Sequence, residues 1–365
     1  MSDSDAGLIS AGEALVLLRE VRTVRALDVR SEGEFLQSSI RGFVNHPILT
    51  NSERHQVGLT YKREGQTPAV RLGYDLVGPL KVARVESWLR ALGDERSTPG
   101  LVACWRGGMR SQIACAWLLE AGRETLRVRG GYKALRGQLL AMLNFAPPLQ
   151  VLSGMTGSGK TELLHRVQVP KVDLEGLAQH RGSSFGRRLD NQQPTQATFE
   201  NALALELAKP GSPLLIEDES SFIGSLRLPI ALKAVMNRAP VVLLESTDDE
   251  RLLRLHREYV CVPMLEAGGP ERVVHGLLES LERIRPKLGG QEADQIRTAI
   301  ESAFARPEAE LLADPEPHRR WIVGLLHSYY DKLYRYSFIQ QQNERHVSFR
   351  GGFEECRQWI ESQRV

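Results

Sequence analysis

The sequence predicts an α/β protein with two domains and a helical C-terminal region. Short apolar strands alternate with helical patterns along most of the chain, which is typical of parallel sheets covered by helices. The length of 365 residues fits two domains and a smaller part, at roughly 150 residues per domain. Two glycine-rich turns each follow an apolar strand and precede a helix, so each domain has one turn suited to binding an anion.

The first domain is predicted over residues 1–143, followed by a linker over 144–149 that contains two adjacent prolines. Its apolar strands are VRALDVR around residues 24–30, GFVNHPI at 42–48, LVACW at 101–105 and LRVRGG at 126–131. Helical patterns lie at residues 12–20, 80–92 and 111–121. This alternation predicts a small domain with a mostly parallel sheet.

The second domain is predicted over residues 150–270. Its apolar strands are LQVLSG at 149–154, PLLIED at 213–218 and VVLLES at 241–246. Helical patterns lie near residues 160–167, 196–208, 227–238 and 248–258. Over 271–365 we find helical periodicity alone and predict no strand.

Composition indicates a soluble cytoplasmic protein. Hydrophobic residues make up 42% and charged residues 25% of the chain, and no apolar run approaches the roughly 20 residues that cross a bilayer. The acidic N-terminus lacks the pattern of a secretory signal. The cysteines form no CxxC pair and no metal-binding spacing, so we expect a reducing compartment and no metal site. They are Cys104, Cys115, Cys261 and Cys356.

The net charge of +2 is unevenly distributed. Residues 1–150 carry 20 basic and 15 acidic side chains, whereas residues 151–365 carry 27 and 30. The whole N-terminal excess lies in 101–150, which has seven basic and two acidic residues. A positive field there would attract an anionic substrate or an RNA backbone, although a solvated basic helix face explains the charge equally well.

The first glycine-rich turn, CWRGGMRS at residues 104–111, places Cys104 between a strand and a helix. Successive backbone N–H groups of such a turn form an anion-binding nest at a helix N-terminus, and the same field favours the thiolate. We expect Arg110 to hold an anion by a two-pronged contact. The predicted anion loop around the cysteine consists of Arg106, Gly107, Gly108, Met109, Arg110 and Ser111.

The second turn, GMTGSGKT at residues 154–161, fits the phosphate-binding pattern G-x-x-x-x-G-K-[ST] without a mismatch. Lys160 adds a point charge beside the loop amides, and Thr161 can ligate Mg²⁺. The pattern indicates a di- or triphosphate but not which one. The predicted pyrophosphate-binding residues are Gly154, Thr156, Gly157, Ser158, Gly159, Lys160 and Thr161.

Two further segments carry candidate residues. Asp218, at the end of the strand PLLIED, is the candidate for the Walker-B carboxylate and Mg²⁺ ligand, with Glu217 as the alternative. A basic segment past the first helix of the second domain could contact the pyrophosphate or an RNA backbone, or be a surface loop; its candidates are His180, Arg181, Arg187 and Arg188. The tyrosines near 329–336 allow base stacking, but their helical spacing favours a packed helix face.

The stretches DVRSEGEF (28–35), SSIRGFVNHP (38–47) and the cysteine turn resemble a rhodanese domain. This resemblance implies a fold shared by sulfurtransferases and a class of cysteine-dependent phosphatases. The Cys104 to Arg110 spacing, Cys-x5-Arg, is one residue longer than the usual sulfurtransferase loop. The phosphatases have a histidine before the nucleophile, whereas position 103 is alanine. Both plain activities are therefore disfavoured.

A rhodanese domain followed by a P-loop domain resembles the tRNA 2-selenouridine synthase family over nearly the whole chain. The stretches that support it are NHPILTNSERHQVGLTYKREG (45–65), CWRGGMRS (104–111), GMTGSGKT (154–161), DLEGLAQHRGSSFG (173–186) and YYDKLYRY (329–336). The resemblance implies geranylation of the 2-thio sulfur of a wobble 2-thiouridine in tRNA by geranyl diphosphate. It then implies replacement by selenium from selenophosphate through a Cys104 perselenide. No tightly bound cofactor and no protein partner or membrane is expected.

Other function classes remain open from the sequence. An ATP-dependent kinase or NTPase with a rhodanese module would turn over ATP and would not need Cys104. A sulfurtransferase acting on RNA would deliver sulfur instead of selenium. A binding protein would sense phosphorylated ligands with both loops, and the variant Cys104→Ser would leave its function intact.

Overall fold

The structure is a computed structural model that describes residues 7–20, 24–93, 99–181, 185, 192–211, 213–267, 269–341 and 346–363. The chain forms two compact units. Unit 1 comprises Met1–Met142 and Thr195–Leu205, and unit 2 comprises Leu143–Pro194 and Glu206–Val365. Most of the helical pattern at 196–208, which lies within the predicted second domain, therefore belongs to unit 1.

Unit 1 contains a five-stranded sheet in which every pairing is parallel, as the sequence predicts. The strand order is β1-β5-β4-β2-β3. The strands are β1 (Leu8–Ile9), β2 (Ala26–Asp28), β3 (Phe43–Asn45), β4 (Gly100–Ala103) and β5 (Thr125–Val128). β4 is the central strand of this sheet and is buried along its whole length. The residue that follows it, Cys104, therefore lies at the middle of the sheet edge.

Helices pack around this sheet, and four of them were not predicted. They are α1 (Ala11–Glu20), α2 (Glu32–Gln37), α3 (Asn51–Glu64), α4 (Gln66–Val77), α5 (Lys81–Leu92), α6 (Met109–Glu120) and α7 (Gly131–Met142). The helix α3 buries no residue and so lacks the apolar stripe that would reveal it in the sequence. A capping box at Thr50 starts it: the Thr50 side chain accepts from the Glu53 N–H.

Polar contacts tie the segment Thr195–Leu205 to the rest of unit 1. Arg136 donates to the Asn201 side chain at 2.9 Å and forms an ion pair with Glu200. The Asn201 amide donates to the backbone oxygen of Ser39 at 2.8 Å, and Thr195 donates to that of Gln37 at 2.8 Å. These partners lie far apart in sequence, which is why no local pattern predicts the assignment.

Unit 2 contains a second parallel sheet, of order β12-β11-β6-β8-β7. Its strands are β6 (Leu149–Ser153), β7 (Lys171–Val172), β8 (Leu214–Glu217), β11 (Val241–Leu244) and β12 (Val347–Gly351), and β9 (Phe222–Ile223) pairs with β10 (Leu226–Arg227) in a separate hairpin. The prediction of no strand beyond residue 270 is wrong at β12. This strand is partly exposed along most of its length at the sheet edge, and its pairing with β11 identifies it.

The helices of unit 2 surround the sheet and continue into a helical C-terminal region. They are α8 (Lys160–Arg166), α9 (Leu174–Ala178), α10 (Gln196–Leu207, shared with unit 1), α11 (Ile230–Arg238), α12 (Asp248–His256), α13 (Val262–Ala267), α14 (Pro270–Leu288), α15 (Gly290–Phe304), α16 (Glu308–Ala313), α17 (Glu316–Leu325), α18 (Asp331–Gln341) and α19 (Phe353–Ser362). The predicted α/β class and the helical region are confirmed. Among the described residues, no helix combines the length and apolar character of a membrane span.

Candidate active site

Cys104 follows β4 directly and lies just before the first turn of α6. Its side chain is buried, with 3% of its surface exposed. The Cys104 sulfur lies 3.2 Å from the Ser111 hydroxyl oxygen, and the Ser111 hydroxyl donates to the backbone oxygen of Gly108 at 3.0 Å. The predicted strand–turn–helix arrangement is present, and it brings the cysteine and the loop residues 105–111 together at a helix N-terminus.

The N-terminus of α7 fixes the backbone of this loop. The Tyr132 N–H donates to the backbone oxygen of Cys104 at 2.8 Å, and the Lys133 N–H donates to that of Trp105 at 3.0 Å. Gly131 has φ +57°, and a Cβ there would lie 2.1 Å from the Cys104 oxygen. Only glycine allows this approach of two backbone segments.

Arg110, which we expected to hold an anion, contacts Glu34 through both terminal nitrogens. The Nη1–Oε2 and Nη2–Oε1 distances are 2.6 and 3.1 Å, and Arg54 lies 3.2 Å from the same carboxylate. Burial alone would raise the pKa of Glu34, but the hydrogen bond and charge of Arg110 outweigh it and lower the pKa. An anion that binds Arg110 must therefore compete with Glu34, which sequence analysis did not select.

The phosphate loop lies between β6 and α8, as its sequence pattern predicts. Gly157 and Gly159 have φ values of +77° and +94°, so the loop needs glycine at both positions. The Lys160 ammonium donates to the backbone oxygens of Gly154 at 2.9 Å and Met155 at 3.3 Å. The Thr161 hydroxyl donates to Glu175 at 3.0 Å.

Carboxylates gather at the end of β8, beside this loop. Asp218 accepts a hydrogen bond of 2.6 Å from Ser153, whereas the Glu217 oxygens are buried without a hydrogen-bond partner among the described residues. Burial, and then the charges of neighbouring carboxylates led by Glu175, raise the pKa of Glu217 well above its usual range. The same two causes raise the pKa of Glu219 to about 8.

A cavity of about 680 Å³ opens over the phosphate loop. The loop residues Gly154, Thr156, Gly157, Gly159, Lys160 and Thr161 line it, and so does Asp218. Its other cations are Arg181, Lys233, Arg254 and Arg257, and its apolar and aromatic residues are Leu255, Tyr259, Val262, Tyr329, Tyr330, Leu333 and Tyr334. One cavity thus combines anion-binding groups with an extended aromatic lining.

The aromatic lining belongs mostly to a packed helical core. Tyr329 and Tyr330 are buried in a hydrophobic cluster of unit 2, so the predicted packed helix face is confirmed for them. Tyr334 lies 3.1 Å from the Ser153 hydroxyl through its own hydroxyl, whereas Tyr336 is exposed. The side chain of Phe338 lies outside the described residues.

The basic segment contributes one described residue to the cavity. Arg181 lines it and donates to the backbone oxygen of Glu258 at 2.7 Å. His180 does not line it; it lies by the β9–β10 turn, where a Cβ on Gly224 would approach its ring to 2.8 Å. Arg187 and Arg188 lie outside the described residues.

Arg251 supports the phosphate loop from α12, and sequence analysis missed it. Its Nε donates to the backbone oxygen of Thr156 at 2.9 Å, and its terminal nitrogens form a buried bidentate pair with Asp331 at 2.5 and 3.1 Å. The partner is 80 residues away, so no spacing rule reveals the pair. Sequence analysis also did not select Arg254 and Arg257, which line the cavity, because they lie within a helical pattern that carries no binding motif.

Comparison with known proteins identifies the family. Residues 147–365 match the family model described as the tRNA 2-selenouridine synthase AAA domain. The chain belongs to the tRNA 2-selenouridine synthase family. The predicted family and the enzyme class, a transferase that modifies tRNA, are thereby confirmed.

Relatives that match this chain over more than 90% of their own length belong to the same family. A tRNA 2-selenouridine synthase of Shewanella loihica is 42% identical over 92% of this chain and 92% of its own length. One from Bordetella petrii is 41% identical over 93% of each chain. Among solved structures, a rhodanese-like domain protein from Staphylococcus aureus covers 35% of this chain at 18% identity, with a TM-score of 0.23.

Proposed function

We propose that this member of the tRNA 2-selenouridine synthase family works in two steps at two sites. Unit 2 transfers a geranyl group from geranyl diphosphate to the sulfur of a wobble 2-thiouridine in tRNA. Unit 1 then replaces the S-geranyl group by selenium from selenophosphate, with Cys104 carrying the selenium as a perselenide. The observation that carries the proposal is the unit 2 cavity, in which phosphate-binding groups and an aromatic lining meet.

The first step needs a pyrophosphate to leave with its charge neutralised. The amides of the phosphate loop and Lys160 supply fixed positive charge where that charge develops. The aromatic residues of the same cavity suit a ten-carbon isoprenoid chain, since apolar surface gains free energy when it leaves water. A nucleoside triphosphate would use the loop but would leave this apolar lining without a partner.

The residues beside the loop also fit a Mg²⁺ ion. Thr161 and Asp218 would hold it, with Glu217 as the alternative carboxylate. The raised pKa values of Glu217 and Glu219 reflect burial first and then carboxylates kept close together. A divalent cation would stabilise these carboxylates in their charged form. The ion would add positive charge beside the pyrophosphate.

The second step needs an electrophilic carbon and a selenium donor. S-alkylation removes the thiolate character of the base, so C2 becomes more electrophilic and the sulfur leaves as a thiol. Cys104 attacks the selenium of selenophosphate, so the S–Se bond forms, the Se–P bond breaks and phosphorus leaves at the oxidation level of phosphite. The perselenide then attacks C2, where the C2–Se bond forms and the C2–S bond breaks with release of the geranyl thiol. Two equivalents of an added thiol reduce the remaining S–Se bond, which frees the selenouridine and restores Cys104 as one disulfide forms. The loop amides from Gly107 to Ser111 would hold the phosphate end of the donor, together with Arg106 and Arg110.

The test uses a tRNA anticodon stem-loop that bears 2-thiouridine. Geranyl diphosphate and selenophosphate are added separately and together, and the nucleosides are read by mass spectrometry. We expect Lys160→Ala to lose geranylation and Cys104→Ser to accumulate the S-geranyl product without selenium. The matched controls are Lys287→Ala, an exposed lysine of α14, and Cys115→Ser, a second cysteine of unit 1; both should behave as the unaltered chain.

Three outcomes would overturn the proposal. Geranylation that persists at full rate in Lys160→Ala would show that Lys160 and its loop do not bind the pyrophosphate. Selenouridine formed by Cys104→Ser would show that the reaction does not pass through a Cys104 perselenide. ATP hydrolysis without either nucleoside product would favour the NTPase alternative.

A further inference from the structure

Unit 1 contains a second cavity that the two proposed steps do not yet use. Its volume is about 790 Å³, within the roughly 300–1,000 Å³ typical of small-molecule sites. It lies between α3, α4 and the start of α6, and it reaches the cysteine loop through Met109 and Arg110. We call it the α3–α4 cavity.

The lining of the α3–α4 cavity is mostly apolar and adjoins Cys104. Ile48, Leu49 and Val77 line it and belong, with Cys104, to one continuous hydrophobic cluster, against which Val57 and Ile113 also pack. A ligand in the cavity would therefore rest on the same packed residues that surround the nucleophile.

Apolar surface on the two helices is left without a protein partner around this cavity. Leu59, Tyr61 and Tyr74 line it and are all at least 36% exposed, and Met109 of the cysteine loop is 43% exposed. Exposed apolar residues grouped about one concave site mark a binding surface. The exposed cations Arg54 and Lys62 line the same cavity, which suits a ligand that is apolar at one end and anionic at the other.

We propose that the α3–α4 cavity binds the geranyl chain of the S-alkylated nucleoside while selenium replaces sulfur at C2. This inference rests on the proposed function, because it assumes an S-geranyl tRNA as the substrate of unit 1. An isoprenoid chain attached to RNA has the required character: an apolar chain beside a phosphate backbone. Seating the chain here brings C2 to the cysteine loop and holds the leaving group away from the selenium donor.

The cavity would also select the substrate. An unalkylated 2-thiouridine has nothing to place in it and would not be oriented at Cys104. Because even one missing methylene in a hydrophobic pocket costs roughly 10- to 200-fold in kcat/KM, a short alkyl group should be used far less well than geranyl. Selenium would thus enter only those tRNAs that unit 2 has already alkylated.

The test separates the second step from the first. Synthetic anticodon stem-loops that carry S-geranyl- or S-methyl-2-thiouridine are incubated with the full chain and selenophosphate. The variant Gly73→Leu narrows the cavity: a Cβ at Gly73 meets only Val57, at 3.9 Å, and leucine is a better helix former than glycine. The control is Gly137→Leu in α7, where a Cβ meets nothing within 4 Å. Gly137 lines neither the α3–α4 cavity nor the cavity over the phosphate loop.

We expect the unaltered chain and Gly137→Leu to favour the S-geranyl over the S-methyl substrate by at least about 100-fold. In Gly73→Leu this preference should fall by roughly 100-fold, the loss typical when a reacting group is displaced by about 1 Å. Geranylation of 2-thiouridine by the same variant should be unchanged. A preference that survives in Gly73→Leu, or that is absent from the unaltered chain, would overturn the inference.

A binding measurement distinguishes failure of this inference from failure of the proposed function. The free nucleoside S-geranyl-2-thiouridine is titrated into the full-length chain and into both glycine variants by calorimetry. Binding that Gly73→Leu weakens and Gly137→Leu preserves supports the cavity even if no selenium is transferred. Selenium transfer that occurs with equal nucleoside binding in all three proteins supports the two-step function and rejects the cavity.

Discussion

At the scale of single residues, charged side chains of the two loops are held by partners that the sequence does not reveal. Arg110 is paired with Glu34 in unit 1, and Arg251 is paired with Asp331 in unit 2. Hydrogen bonds to charged groups contribute about 1.5–3 kcal/mol each, so these pairs restrict where each guanidinium can lie. The Arg110–Glu34 pair must open before Arg110 can bind an anion. The Arg251–Asp331 pair instead supports the phosphate loop from outside the cavity.

Glu219 makes the stability of the ligand-free chain depend on pH. Its pKa of about 8 lies above the value of about 4.3 expected in the unfolded chain, so the folded state binds the extra proton. Stability is then full below about pH 4.3 and is lost as the pH rises toward 8. We predict a melting temperature that falls between pH 5 and 8, and a smaller fall in Glu219→Gln, measured by thermal unfolding. Part of the fall remains in the variant because the pKa of Glu217 is raised as well.

The control for this prediction is Glu266→Gln, at an exposed glutamate of α13. It should keep the slope of the unaltered chain. An unaltered chain with no pH slope between 5 and 8, or a Glu219→Gln variant that keeps the full slope, would contradict the assignment.

At the scale of elements, the start of α7 determines the shape of the cysteine loop. The backbone N–H groups of residues 132 and 133 donate to the carbonyl oxygens of Cys104 and Trp105. Gly131 makes this close approach of the two backbone segments sterically feasible. The loop therefore depends on an element that follows it by more than 20 residues. A motif search over 104–111 alone does not include this element.

The variant Gly131→Ala should destabilise unit 1 and displace the cysteine loop. An alanine at positive φ costs about 1–2 kcal/mol, and a Cβ 2.1 Å from the Cys104 oxygen forces a backbone shift that adds about 1–3 kcal/mol. We expect a total loss of roughly 3 kcal/mol in urea unfolding followed by tryptophan fluorescence. Selenium transfer should fall with it, because the anion nest is deformed.

Gly122→Ala is the matched control for this variant. Gly122 has φ +75°, and a Cβ there meets nothing within 4 Å, so it measures the conformational cost alone, about 1–2 kcal/mol. Equal losses in the two variants would show that the close approach to Cys104 contributes nothing.

At the scale of the whole molecule, each candidate site is complete within one unit. The cysteine loop, Glu34 and α7 all belong to unit 1, and the phosphate loop, its carboxylates and the aromatic lining all belong to unit 2. The two chemical steps that we propose should therefore be separable. In this proposal the tRNA, rather than a residue shared by both sites, connects them.

Separable sites predict that two inactive variants complement each other. A mixture of Cys104→Ser and Lys160→Ala should form selenouridine from 2-thiouridine stem-loops, because the first variant makes the S-geranyl product and the second consumes it. Each variant alone serves as the control and should form none. Mass spectrometry that finds S-geranyl product but no selenouridine in the mixture would show that the intermediate does not pass between chains.

The sequence alone determined the local chemistry of this protein. The two glycine-rich turns, the strands before them and the helices after them lie where their patterns predicted, because turn glycines, buried apolar runs and helix starts act over a few residues. The family was also readable from long matching stretches such as 45–65. The predicted roles of Cys104 and Lys160 remain predictions that the experiments above address.

Tertiary structure alone decided which residues surround those turns. It placed Thr195–Leu205 in unit 1, added β12 to the edge of the second sheet, and paired Arg110 with Glu34 across 76 residues of sequence. It also formed the α3–α4 cavity, one wall of which is α3, a helix that buries no residue. Such contacts join residues far apart in the chain, and their free energy depends on packing that no local pattern of residues encodes.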